Sequence, residues 1–169
     1  MRMTLFALLS TLLPLSATAM DCPTLAMLLK DAKSEFKNVK GVWDPELEHW
    51  ESTLTIPGMS GCNIEGEDEG FSFFCKIGKS STREEAVRSA EILAREVRSC
   101  LAGAVEESSE YRENTVNGYL VKTYSGVRFL LPKSSVYVSV RAYSLEHLKN
   151  KNLSYVANFE VVLDEDLDE

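Results

Sequence analysis

The chain has 169 residues, 44% of them hydrophobic and 26% charged, which is the composition of one globular domain with enough apolar residues for a core. Its 18 basic and 26 acidic residues leave a net charge of −8, a balance that repels nucleic acid and anionic lipid and excludes both as expected partners. Beyond the N-terminal segment no apolar run is long enough to span a bilayer as a helix.

Residues 1–19 combine Arg2, an apolar stretch from Leu5 to Leu15 and the small-x-small sequence Ala17-Thr18-Ala19. This is the pattern of a secretory signal peptide, so cleavage and a periplasmic or secreted location are expected, with no membrane attachment afterwards. A retained anchor is the alternative. Lipoprotein processing at Cys22 would want small residues where Met20-Asp21 stand. Residues 20–163 then form a single domain, and 164–169 a charged, frayed tail.

The segment DCPTLAMLLKDAKSEFKNVKG carries Pro23 at a position suited to a first helical turn, an apolar stripe of Leu25, Leu28, Leu29, Ala32 and Phe36, and Gly41 after its end. A first helix is predicted there. WESTLTI alternates Trp50, Ser52, Leu54 and Ile56 with polar residues and predicts a half-buried strand closed by Pro57-Gly58. In SGCNIEGEDEGFSFFC, placing Cys62 opposite Cys75 also sets Ile64 opposite Phe73 and Gly66 opposite Phe71, with Glu67, Asp68 and Glu69 at the tip. A hairpin in that register is expected.

From Ser81 a second helix is predicted, capped by Ser81 or Thr82 with Glu84 or Glu85 reaching back, striped by Val87, Ala90, Ala94, Val97 and Leu101, and stopped by Gly103. Strands follow: YRENTV, an Asn117-Gly118 turn, YLVKTY, a turn at Ser125-Gly126, VRFLL, then VYVSVRAY with Val136, Val138, Val140 and Ala142 on one face. SLEHLKNKNLS breaks the pattern and predicts a loop or short helix. YVANFEVVL resumes it with Tyr155, Ala157, Phe159, Val161 and Leu163 on one face. The expected fold is α+β, a mostly antiparallel sheet of about six to eight strands in the order α-βββ-α-ββββ(β), with both helices on one face.

Four cysteines in an exported chain are expected to form two bridges. The hairpin register pairs Cys62 with Cys75. Cys22 at one helix start and Cys100 near the other's end then meet if the helices pack antiparallel. No two cysteines have the close spacing of a zinc site, no C-x-x-C redox pair occurs, and no cofactor is expected.

Candidates for chemistry are few. His49 and His147 each stand beside a carboxylate in sequence, but neither lies in a nucleophile motif, and both read more simply as rim histidines. The acidic clusters do not follow a calcium-loop spacing. Asn152-Leu153-Ser154 fits a glycosylation acceptor, a triplet common by chance.

The aromatic residues are the better lead. Trp50 falls on the apolar phase of its strand. Trp43 lies outside both helical patterns and could anchor a partner. Tyr137, Arg141 and Tyr143 fall on the phase opposite the valines, a second sheet face left open if the helices cover only the first. The expected function is therefore non-catalytic binding of a protein partner, as by an inhibitor, immunity factor, chaperone or adaptor, using Trp43, Tyr137, Arg141, Tyr143 and the tip Glu67, Asp68 and Glu69. A small-molecule or lipid carrier with a cavity between helices and sheet, and a small envelope hydrolase, are the alternatives.

Overall fold

A computed structural model describes residues 20–67, 70–78, 80–109 and 111–164; the expected signal peptide lies outside them, as do Asp68, Glu69 and residues 165–169. Among the described residues the chain forms two helices, α1 (Cys22–Ala32) and α2 (Arg83–Cys100), and nine strands. Four strands lie between the helices: β1 (Lys40–Asp44), β2 (His49–Ser52), β3 (Met59–Glu67) and β4 (Gly70–Ile77). Five follow α2: β5 (Val105–Ser109), β6 (Arg112–Val116), β7 (Tyr119–Leu130), β8 (Val136–His147) and β9 (Leu153–Asp164). All pair antiparallel in one sheet ordered β1-β2-β3-β4-β9-β8-β7-β5, with β6 sharing the β7 edge with β5. The fold is α+β, as the periodicities predict.

Alternation sorts the side chains of each strand between two faces. One face presents Phe73, Cys75, Val138, Val140, Phe159 and Val161, all buried, and carries both helices. α1 places Leu25, Leu28 and Ala32 against it; α2 places Ala86, Ala90, Leu93, Ala94 and Val97. Asp21 caps α1 by accepting from Thr24 N–H at 2.6 Å. Thr82 and Glu85 form the reciprocal capping box expected for α2.

The bridges Cys22–Cys100 and Cys62–Cys75 are both present, with Cα atoms 5.1 and 4.2 Å apart. In the hairpin, Ile64 faces Phe73 and Gly66 faces Phe71 in the expected register. Two disulfides mark a chain that folds in an oxidising compartment. No helix among the described residues is long and apolar enough to cross a membrane.

Four local expectations are corrected. α1 ends at Ala32, well before Gly41, because the buried Asp31 carboxylate gathers the following turn: it accepts from Ser34 Oγ at 3.1 Å, from Asn38 N–H at 3.1 Å and from the Asn38 side-chain amide. Glu35 and Phe36 there take positive φ, and Phe36 still reaches the core. The WESTLTI strand stops at Ser52, since Thr53 N–H turns to the Val39 carbonyl at 2.9 Å. The loop expected at Ser144–His147 is the end of β8, and His147 begins the turn instead: its Nδ1 accepts from the Lys149 and Asn150 amides at 3.2 and 3.4 Å.

The fourth correction matters most. Ser125-Gly126 is not a turn, and Tyr119–Leu130 is one strand of twelve residues with a bulge. Thr123 pairs with Tyr143 and Ser125 with Ala142, so Tyr124 is the extra residue. Its ring turns to the helix side, where the Arg83 guanidinium lies 4.4 Å from its centroid and Ser144 Oγ lies 2.9 Å from its hydroxyl.

Candidate functional site

The sheet's other face carries no helix among the described residues. Along β8 it presents Tyr137, Ser139, Arg141 and Tyr143, as alternation predicts; along β9 Asn158 and Glu160; along β7 Thr123, Gly126 and Arg128; along β5 and β6 Glu107, Ser109, Arg112 and Asn114. At the β5–β9 end this face is concave. A polar hollow of about 430 Å³ is walled by Glu107, Arg112 and Asn114 on one side and by Tyr137, Arg141 and Glu160 on the other.

Gly126 makes the hollow's floor possible by close approach. A Cβ on it would stand 2.1 Å from Ser109 Oγ and 3.1 Å from Arg141 Cγ, so glycine lets both side chains lie close over β7 without shifting. Ser109, Gly126, Arg141 and Asn158 are successive partners in one row across the sheet. In that row Ser109 Oγ, Arg141 Nε and Asn158 Oδ1 are buried without a hydrogen-bond partner among the described residues. Arg141 explains part of this: its Nη2 donates diagonally to Glu160, which draws the fork away from Asn158 and leaves the Nε–H without an acceptor. A buried donor left unpaired costs about 1–3 kcal/mol.

Arginines dominate the charge of the hollow. Arg128 Nη1 lies 3.9 Å from Glu107, beyond hydrogen-bond length, and its guanidinium stacks 4.6 Å from the Tyr137 ring. Arg112 makes no ion pair among the described residues. Three guanidinium groups against two carboxylates make this a positive spot on an acidic chain.

Burial pushes the Tyr143 hydroxyl up to about 12, with Arg141 opposing the shift, and burial raises Tyr137 in the same direction. A phenol whose folded pKa lies above its unfolded value of about 10 stabilises the fold below pH 10, and that contribution is lost as pH rises toward 12. Tyr143 accordingly contributes on the order of 2–3 kcal/mol to alkaline unfolding over that window. Urea midpoints at pH 9 and 11.5 should fall less steeply in Tyr143→Phe than in the wild type; parallel falls would refute this burial.

The other expected binding residues lie elsewhere. Trp43 sits on edge strand β1, its ring 4.4 Å from that of Trp50 and tilted 56° to it, facing the helix side, five strand spacings from β8, or roughly 24 Å. It is 42% exposed beside exposed Val42. Glu67 closes β3 opposite Gly70; the rest of the acidic tip lies outside the described residues. The structure therefore brings Tyr137, Arg141 and Tyr143 onto one face and leaves Trp43 apart from them. His49 Nδ1 pairs with the Asn63 side-chain amide at 3.2 Å, and His147 caps its turn and packs edge-on against Tyr119. Among the described residues no group of three metal-ligating side chains comes together.

Arg112, Arg128, Glu160 and Ser109 were not singled out in the sequence. The period-2 phase of YVANFEVVL puts Glu160 opposite Tyr155, Ala157, Phe159, Val161 and Leu163, whereas Arg112 shares its phase with Val116 and Arg128 with Leu130, and nothing local says those strands are neighbours. A second groove, of about 420 Å³, runs between α2 and β7, floored by Ala90, Ala94, Val127 and Val140 and rimmed by Glu91 and Arg95. No family model, curated protein or solved structure matches the chain.

Proposed function

We propose that this chain is a non-catalytic binding protein, exported to the periplasm or beyond, that presents the helix-free face of its sheet to a protein partner in the manner of an inhibitor, immunity factor, chaperone or adaptor. The observation supporting this is the concave region around Arg141, where buried polar atoms lack partners among the described residues. Native folds leave few such atoms, so their clustering marks this stretch of the sheet as unusual for a purely structural surface. Tyrosine and arginine, the residues offered here, are also those on which interface energy concentrates.

Capture from periplasmic extract with immobilised wild type, Tyr137→Ala and Trp43→Ala tests the surface. A partner retained by wild type and by Trp43→Ala but weakened at least tenfold by Tyr137→Ala is expected. A partner lost only with Trp43→Ala would move the interface to the β1 edge.

The groove between α2 and β7 supports a second reading, a carrier of a small amphiphile, because its floor is apolar and its rim carries the charged residues Glu91 and Arg95. Saturable one-to-one binding of a fluorescent fatty acid, abolished by Ala94→Trp, would favour it over the partner surface.

A further inference from the structure

We infer that the hollow on the helix-free face is an anchor for a carboxylate, and that the partner engages it by inserting an aspartate or glutamate side chain between Arg112 and Arg128. The inference rests on the reading of that face as the recognition surface and names the chemistry it recognises.

Charge carries the argument first. The chain is acidic overall, with 26 acidic residues against 18 basic, yet Arg112, Arg128 and Arg141 from three different strands converge on one concavity. Placing like charges together costs free energy that a bound anion recovers. The acceptors already present do not use up the donors. Glu160 takes one Arg141 nitrogen, Glu107 stands 3.9 Å from Arg128, and Arg112 has no acidic partner among the described residues. A guanidinium offers five N–H groups in a planar fork matched to a carboxylate, so an inserted acid finds two forks with free teeth.

The wall chemistry and size agree with a side chain from a larger partner. Cavities for free small molecules are mostly apolar. This one is lined by guanidinium, carboxylate and hydroxyl groups, with the Tyr137 ring lying under Arg128. At about 430 Å³ it exceeds one acidic side chain and leaves room for the backbone that carries it.

The test uses the oxidised protein, with arginine Nε–H resonances followed by NMR. N-acetylglutamate amide is the probe, N-acetylglutamine amide its neutral isostere, and glucuronate the sugar-acid alternative. Saturable shifts at Arg112 and Arg128 with the glutamate probe are expected, with at least tenfold weaker response to the glutamine probe. Arg112→Gln should weaken the response at least tenfold with an unchanged thermal midpoint, because Arg112 is exposed and makes no ion pair among the described residues. Arg88→Gln, on the exposed side of α2, should change nothing.

Equal responses to both peptide probes, no response at either arginine, or glucuronate binding at least tenfold tighter than the glutamate probe would overturn the inference. If Tyr137→Ala abolishes partner capture while the hollow ignores carboxylates, the anchor fails and the recognition face stands. If the carboxylate binds while Tyr137→Ala leaves capture intact, the reading of the face fails, and the anchor role falls with it.

Discussion

Replacing Cys22 and Cys100 together by alanine is expected to lower the unfolding free energy by about 4.5 kcal/mol, the chain-entropy value for a loop closed across 78 residues. A domain of this size has roughly 5–15 kcal/mol in total, so the variant should be marginal at 37 °C. The geometry gives the loss a direction. The bridge joins the first residue of α1 to the last of α2, and α1 otherwise rests on a short stripe of Leu25, Leu28 and Ala32. α1 should fray first, with amide exchange rising across Cys22–Ala32 before the β7–β9 ladder is affected. Cys62–Cys75 closes a loop of only 13 residues, so its removal should cost less, about 3 kcal/mol. Urea unfolding of the two double variants checks the order; a smaller loss for the long loop than for the short one would contradict it.

Phe73→Ala should cost about 3–5 kcal/mol, the range for emptying a buried phenylalanine site. Phe73 is fully buried on β4, with ring centroids 6.0 Å from Phe36 and 6.5 Å from Phe159. It therefore ties the turn after α1 to the central strand β9. Those rings are held by the disulfide hairpin and the Asp31-centred turn, so the cavity has little freedom to collapse, which favours the upper part of the range. Phe73→Leu, which keeps most of the volume, should lose less than half as much. A loss under about 1.5 kcal/mol for Phe73→Ala would mean that the site repacks and that β4 is not pinned as described.

Much of the fold could be read from local pattern because its causes are local. The two-residue period of β8 and β9 placed Val138 and Phe159 inward, and Tyr137, Arg141 and Tyr143 outward, whatever their neighbours. The capping box of α2 depends on residues three apart. The hairpin register follows from pairing Cys62 with Cys75 across a short tip. β1 has no local strand signature because its five residues share no alternation, and β5 has none because VEESS exposes nearly all its side chains. Ser125-Gly126 looked like a turn because serine and glycine favour turns in isolation.

The sequence by itself determined the oxidised cysteine frame, the α+β class and which side of each strand meets the core, since these follow from side-chain alternation, helical spacing and compartment chemistry. Only the tertiary structure decided that β7 runs straight through Gly126 with Tyr124 bulged toward α2, and that Arg112, Arg128 and Arg141 share one hollow. The reason is physical: neighbour choice among strands is a long-range pairing that depends on closing loops and filling one common core. A residue's own neighbours in the chain carry no record of it.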